Sequence, residues 1–346
     1  MKLFECANCS NPLFFENTYC EKCGHQCGFS VTALDMLTFR PERIPMISDK
    51  SRRAYKYCKN LEFGVCNWLI PADRSDEFCI ACALNRTIPD LSDSENTAKW
   101  RKLEVAKHRL VYQLARLGLP LSSKMLVPEG GLCFDFISKT NDSKVMTGHA
   151  DGVVTILLSE ADSVHREQIR TQLSEVYRTL IGHFRHEVGH YYWDQLVAGR
   201  EQAQSSFRNV FGDERTNYGE SLSRYYEQGA AADWQNSHIS AYASAHPWED
   251  WAETWAHYLH ILDMAETAYY FGLSVRPKVK SKILRGTIET DPYSISKFEK
   301  IFHAWMPVSF TINSLNRSMG VPDAYPFVVS PAVLEKMNTI HRLIKR

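Results

Sequence analysis

The sequence predicts an α+β fold in two parts, a cysteine-rich N-terminal region and a longer, mainly helical region with a small sheet. All of the ten cysteines except Cys133 lie within residues 6–82. From about residue 100, apolar residues recur at helical spacing, and short runs rich in β-branched and aromatic residues are typical of strands. A polar stretch separates the two regions, so we predict domains at 1–93 and 94–346.

Composition excludes several classes of protein. The chain has 346 residues, and its 40 Lys and Arg balance its 40 Asp and Glu, whereas nucleic-acid binders usually carry a basic excess. The longest apolar run, VVTILL at 153–158, is far shorter than the roughly 18–20 residues of a membrane-spanning helix. The start, MKLFECANCS, has no apolar segment typical of a signal peptide. We expect a cytoplasmic protein that binds neither membranes nor nucleic acid.

The first cysteines form two CxxC pairs, Cys6 with Cys9 and Cys20 with Cys23. Each CxxC turn directs two thiolates to one point, and two such turns complete the tetrahedral site that zinc prefers. The apolar residues between the pairs are too few for a core, so the metal has to supply folding energy. This spacing predicts a four-cysteine zinc site in a zinc-ribbon-type domain.

A second set of cysteines follows within the same region. Cys79 and Cys82 form another CxxC pair, and Cys58 and Cys66 lie upstream of it. Four thiols at these spacings, in a chain that we expect in the cytoplasm, indicate a second structural zinc site rather than disulfides. Cys27 and His25 are alternative ligands beside the first site, although we interpret both as bystanders. Cys133 is interpreted as a core residue rather than a nucleophile.

The helical region contains the pattern HExxH, formed by His186, Glu187 and His190. The surrounding apolar residues, which include Ile169, Leu173, Val176 and Leu180, indicate either one long helix ending at Gly199 or two helices with a break near Gly182. On a helix, residues four apart share a face, so both histidines can reach one zinc ion. Glu187 then lies where it can serve as the general base toward a water molecule.

A catalytic zinc ion needs a third protein ligand and an open fourth position. The position six residues after His190 is Leu196, which excludes the class with a third histidine there. The later segment YASAHPWEDWAETWAHYLH at 242–260 offers carboxylates on a helix that begins near a proline. We select Glu249 as the third ligand and leave Asp250 and Glu253 as rivals, with Glu253 otherwise hydrogen-bonded to a ligand histidine.

A hydrolase also needs a hydrogen-bond donor for the developing oxyanion. Tyr242, seven residues before Glu249, is our candidate, and Tyr258 and His257 are alternatives. Asp194, one turn after His190, is expected to contact a metal ligand without binding the metal itself.

The motifs together resemble a bacterial family of zinc-ribbon proteins described as zinc-binding metallopeptidases. The resemblance rests on CNWLI, FCIACALN, EVYRTLIGHFRHEVGHYYWDQL and ISAYASAHPWEDWAETWAHYLH, and extends to LNRSMG and AYPFVVS near the C-terminus. It implies a zincin-like peptidase domain of the class with a glutamate third ligand (gluzincin). It further implies that His186 and His190 bind zinc, that Glu187 is the base, and that Glu249 completes the site.

The resemblance leaves the substrate and partners open. The strand expected within 145–158 would lie at a sheet edge and bind the main chain of an extended peptide. The zinc-ribbon domain would recruit a protein partner. The alternatives are a zinc-ribbon protein associated with nucleic acid or a protein complex, and a HExxH site that is structural. Residues 276–346 are expected to be helical, without assigned chemistry.

Overall fold

The computed structural model describes residues 1–41, 45–138, 147–172 and 179–345. The chain forms two compact units, residues 1–172 and residues 173–346. The strands are β1 (Phe4–Glu5), β2 (Pro12–Leu13), β3 (Gln26–Ser30), β4 (Asp35–Phe39), β5 (Met46–Ile47), β6 (Ala54–Tyr57), β7 (Leu69–Pro71), β8 (Asn85–Thr87), β9 (Cys133–Ile137), β10 (Gly148–Ala150), β11 (Val153–Leu157), β12 (Ser274–Val275) and β13 (Gly286–Thr287). The helices are α1 (Ser94–Arg116), α2 (Ser163–Gln172), α3 (Leu180–Leu196), α4 (Glu201–Phe211), α5 (Tyr218–Gln228), α6 (Pro247–Tyr270), α7 (Phe298–Ser318) and α8 (Pro331–Ile344).

The start of the first unit consists of short antiparallel pairings, as in a zinc ribbon. Strands β1 and β2 pair, β3 pairs with β4, and β5, β6 and β7 form a three-stranded sheet. These strands are too short to bury much apolar surface by themselves. Their core is an aromatic cluster in which the rings of Phe15, Phe29, Trp68 and Tyr112 contact one another. Because Tyr112 belongs to α1, this helix packs on the cysteine-rich region within the first unit.

A four-stranded sheet in the order β10-β11-β9-β8 completes the first unit. Strand β9 is parallel to both β8 and β11, and α1 is the connection between β8 and β9 that such a parallel pair requires. Strand β10 is antiparallel to β11 and lies at the edge. The α+β class and the small sheet with an edge strand are therefore confirmed.

In its described residues, 179–345, the second unit has helices and a single two-residue strand pair, β12–β13. Helix α3 begins after Thr179, whose hydroxyl accepts a hydrogen bond from the main-chain nitrogen of Gly182, as expected of an N-cap. The structure thus has two helices where the sequence allowed one or two. Of the residues in the predicted apolar pattern, Leu173 and Val176 lie outside the described part of the chain.

Helices α3 and α6 approach each other closely at Gly189. A Cβ atom at this position would lie only 3.0 Å from the Cα of Ala252 and 3.2 Å from Cδ1 of Trp255. The indole nitrogen of Trp251 donates a 2.9 Å hydrogen bond to the main-chain oxygen of Gly189. The glycine inside the HExxH motif is therefore the point at which the two helix backbones meet.

The described helices include none that is both long and apolar enough to cross a membrane.

We expect Gly189→Val to separate α3 from α6, because the branched side chain has no room against Ala252. Overpacking of this kind costs about 1–3 kcal/mol, which thermal unfolding will show as a lower Tm. The matched control is Gly219→Val in α5, where an added Cβ would contact nothing closer than 3.7 Å. Equal Tm values for the two variants would contradict this description of the helix contact.

Candidate metal centres

The first four cysteines converge as their spacing predicts. One sulfur atom from each of Cys6, Cys9, Cys20 and Cys23 lies within 4.8 Å of the others. The Sγ atoms of Cys6 and Cys23 are 3.7 Å apart, and those of Cys9 and Cys20 are 3.6 Å apart. Tetrahedral zinc with bonds of about 2.3 Å places its sulfurs about 3.8 Å apart. The donor set therefore fits zinc, and none of these cysteines forms a disulfide.

Cys58, Cys66, Cys79 and Cys82 form a second such cluster, and all four are buried. The Sγ atoms of Cys66 and Cys79 are 3.7 Å apart. Main-chain N–H groups donate to two of the sulfurs, from Trp68 to Cys66 and from Cys79 to Cys58. Such bonds stabilise thiolates, which are the form that binds metal.

A histidine supports the second cluster from outside. The Nδ1 atom of His108 lies 2.7 Å from the main-chain oxygen of Glu104, to which it donates, and its Nε2 atom lies 3.7 Å from the Sγ of Cys82. Burial lowers the pKa of His108, but Cys82 and Glu104 outweigh it and raise the pKa to about 10. A protonated His108 would donate to the sulfur of Cys82 and would offset part of the negative charge of a four-thiolate zinc site.

The remaining cysteines lie outside both clusters. Cys27 is fully buried in β3, and burial raises the pKa of its thiol to about 12. Cys133 is buried in β9. His25 lies beside the first cluster, with its Nδ1 atom 3.6 Å from the Sγ of Cys23.

We expect Cys79→Ser to lose one bound zinc ion per chain and to lower the Tm, because a hydroxyl is a poor substitute for a thiolate ligand. Cys27→Ser, which also changes a buried cysteine, should keep the full zinc content. Elemental analysis of the two purified variants checks both statements. Equal zinc loss in the two variants would mean that Cys27 is a ligand.

The third cluster joins α3 to α6. One donor atom from each of His186, His190 and Glu249 lies within 4.8 Å of the other two. The Nε2 atom of His186 is 3.3 Å from the Nε2 of His190 and 3.2 Å from the Oε2 of Glu249. The structure therefore brings together the HExxH histidines and the carboxylate chosen from the later segment.

The hydrogen bonds of this third cluster fit a metal ion. The Nδ1 atom of His186 lies 2.7 Å from the Oε1 of Glu253, which as a carboxylate can only accept, so Nδ1 carries the hydrogen. In the neutral ring, the lone pair of Nε2 then faces His190 and the negatively charged Glu249. Burial opposes a charge on His186, yet the two carboxylates raise its pKa well above the ordinary value. Two imidazole nitrogens and a carboxylate oxygen are a donor set that fits a divalent metal ion such as zinc.

The two rival carboxylates have other partners. Asp250 is fully buried and forms an ion pair with Lys336 at 2.5 Å. Glu253 bonds to His186 through Oε1 and accepts from the hydroxyl of Ser240 through Oε2 at 2.7 Å. Glu253 thus holds the ring of His186 from behind, and Ser240 holds Glu253.

Glu187 lies in the same helix turn as the two histidines. Its Oε1 atom is 3.5 Å from the Nε2 of His183. Burial raises the pKa of Glu187, but the bond with His183 and the nearby charges of His186 and His190 lower it to about 2. The carboxylate is therefore ionised at neutral pH.

The candidates for the oxyanion donor have different surroundings. Tyr258 is buried with its hydroxyl 2.9 Å from His341, and His257 lies 3.0 Å from the hydroxyl of Tyr325. Tyr242 is half-buried, and its ring centroid lies 6.1 Å from that of His186. Asp194 is exposed, and its charge contributes to the raised pKa of Tyr191.

Three residues at the site were missed by the sequence analysis. His183 could have been found, because it lies four residues before Glu187 on the same helix face. Tyr218, whose hydroxyl lies 2.7 Å from Glu249, and Ser240 carry no sequence signal. Tyr218 and Ser240 reach the site only because the fold brings distant segments of the chain together.

The family described as "Putative zinc-binding metallo-peptidase" matches residues 96–343, and a zinc-ribbon domain matches residues 3–93. The chain belongs to this zinc-binding metallopeptidase family. The resemblance drawn from the sequence motifs is thereby confirmed, and the two cysteine clusters agree with the zinc-binding description.

Relatives of this family member occur in mycobacteria. A protein of Mycobacterium tuberculosis and one of Mycobacterium bovis are each 40% identical to it over 344 residues, which is 99% of this chain and 95% of the relative. Both are named only as uncharacterized proteins. No solved structure matches the chain.

We expect Glu249→Gln to lose one zinc ion per chain, because the amide has no charge to offer the metal. Asp250→Asn should keep that zinc ion but lower the Tm, since Lys336 would remain buried without its counter-charge. Elemental analysis and thermal unfolding of the two variants separate ligand from ion-pair partner. If Asp250→Asn loses the zinc ion and Glu249→Gln keeps it, Asp250 is the ligand instead of Glu249.

Proposed function

We propose that this protein is a zinc-dependent peptidase of the gluzincin type. The observation that carries the proposal is the convergence of His186, His190 and Glu249 on one point, with Glu187 next to His186 in the same helix turn. Two histidines and a glutamate form a three-ligand set that leaves a fourth position for water or substrate, as in catalytic sites. A purely structural site would have no use for the acid–base group beside it.

Each residue of this site has its own proposed role in peptide hydrolysis. A zinc ion held by His186, His190 and Glu249 would supply a Lewis acid that polarises the substrate carbonyl. Glu187 takes a proton from the attacking water on its carboxylate and later gives it to the leaving nitrogen. Glu253 keeps the hydrogen of His186 on Nδ1, so that the lone pair of Nε2 would be free to hold the zinc ion.

Tyr242 is our candidate for the donor to the developing oxyanion. It is the half-buried one of the three side chains considered from the sequence, and its ring contacts that of His186. Its hydroxyl is proposed to donate where negative charge develops in the transition state. Asp194 is proposed as an outer support of the ligand helix.

We assign two further zinc ions to the cysteine clusters, which gives one catalytic and two structural ions per chain.

We retain the division into a zinc-binding domain at 1–93 and a peptidase domain at 94–346, whose first helix, α1, packs on the zinc-binding part. The zinc-ribbon domain would bind a protein partner or substrate, and β10 would pair with an extended peptide.

The ten free cysteines favour a cytoplasmic location. The balanced charge offers no electrostatic basis for binding nucleic acid. Failure to bind DNA at low salt would remove that alternative.

We expect Glu187→Gln to keep its zinc and to cut peptides about 10²–10⁴-fold more slowly, because the amide cannot take a proton. The measurement is the digestion of a peptide library derived from a proteome, followed by mass spectrometry of the products. The matched control, Glu201→Gln, changes an exposed glutamate at the start of α4 and should cut as the wild type does.

Normal cleavage by Glu187→Gln would show that the mechanism is wrong. No cleavage by the wild-type protein loaded with zinc would contradict the peptidase assignment itself.

A further inference from the structure

Helix α5 places one side chain directly on the third cluster. The hydroxyl of Tyr218 donates a 2.7 Å hydrogen bond to the Oε1 of Glu249. Glu249 is 1% exposed, whereas Tyr218 is 37% exposed, so the tyrosine reaches inward from the surface to a buried carboxylate. A carboxylate next to a metal needs such a partner, because its unused oxygen is otherwise buried without a donor.

We propose that Tyr218 is a positioning residue that makes Glu249 bind the metal through one oxygen, Oε2. This inference rests on the proposed function, since it takes Glu249 to be a metal ligand. The Oε2 atom is buried without a hydrogen-bond partner among the described residues and lies 3.2 Å from the Nε2 of His186, whereas Oε1 accepts from Tyr218 and lies 3.7 Å from the Nε2 of His190. The hydrogen bond to Oε1 holds the carboxylate in that orientation and keeps the fourth metal position open.

The position of Tyr218 is fixed independently of Glu249. His246 is the N-cap of α6, and its Nδ1 atom accepts from the main-chain nitrogen of Trp248 at 3.1 Å. Its Nε2 atom donates to the main-chain oxygen of Thr216, just before α5, at 3.1 Å. One histidine therefore ties the start of α5 to the start of α6.

Aromatic packing completes this connection. The ring of Tyr218 lies edge-on to that of His246 at 5.2 Å and 6.0 Å from that of Trp248. At the other side of the tyrosine, Asn217 caps α5 by accepting from the main-chain nitrogen of Glu220 at 3.1 Å. The tyrosine is thus held before any metal binds, and it can impose an orientation on Glu249 rather than follow it.

Tyr218 and Tyr242 have different proposed roles. Tyr242 is a candidate for contact with substrate, whereas Tyr218 acts through a ligand. Loss of its hydroxyl should therefore change metal binding itself, with or without a substrate. A role in packing alone would be served equally well by phenylalanine, which keeps the ring and its contacts.

The test uses the full-length protein with zinc retained in both cysteine clusters and Co²⁺ titrated into the third cluster. We expect Tyr218→Phe to bind Co²⁺ about 10–100-fold more weakly than the wild type, the usual effect of removing an outer partner of a ligand. The visible absorption of the bound Co²⁺ should decrease toward that of a five-coordinate ion, because Glu249 becomes free to bind through both oxygens. Tyr226→Phe removes the same hydroxyl from a more exposed tyrosine of the same helix and should match the wild type.

Two results would contradict the proposed role of Tyr218, and only the second would also contradict the proposed function. If Tyr218→Phe has the wild-type affinity and spectrum while Glu249→Gln loses the cobalt signal, Tyr218 has no positioning role and the metal site stands. If Glu249→Gln also keeps the signal, the assigned ligand is wrong, and the proposed function fails with it.

Discussion

The close contact between α3 and α6 is the constraint on which the third cluster depends. Gly189 lets the two backbones meet, and Trp251 donates to its main-chain oxygen, so the register of one helix against the other is fixed at that level. His186 and His190 lie on either side of this point in α3, and Glu249 lies in the first turn of α6. A shift of one residue in either helix would direct a different side chain at the site.

Several buried charged side chains in the described structure lie beside a partner of opposite charge. His186 stands between two carboxylates, Asp250 pairs with Lys336, and Glu104 pairs with Lys107 at 2.8 Å. Burying an unpaired charge is costly, so these pairs restrict the helices to arrangements in which every partner is present. In the third cluster, Glu249 and Glu253 both lie beside His186, and the proposed zinc ion would offset part of their negative charge.

Local patterns predicted much of this architecture. Three CxxC pairs, together with Cys58 and Cys66, predicted both cysteine clusters, and the HExxH motif with helical periodicity predicted two donors on one helix face. The choice of Glu249 over Asp250 and Glu253 agrees with the geometry, although the sequence alone left the register open. Tyr218 and Ser240 could not be predicted, because their positions depend on how α5 and the segment before α6 pack. His183 could have been predicted from its spacing to Glu187.

Anomalous diffraction at the zinc absorption edge, from crystals of the zinc-loaded protein, is the most direct test of the central claim that α3 and α6 form one metal site. We predict a zinc peak about 2.0–2.2 Å from donor atoms of His186, His190 and Glu249, in addition to peaks in the two cysteine clusters. Peaks in the cysteine clusters alone, with none between α3 and α6, would contradict it.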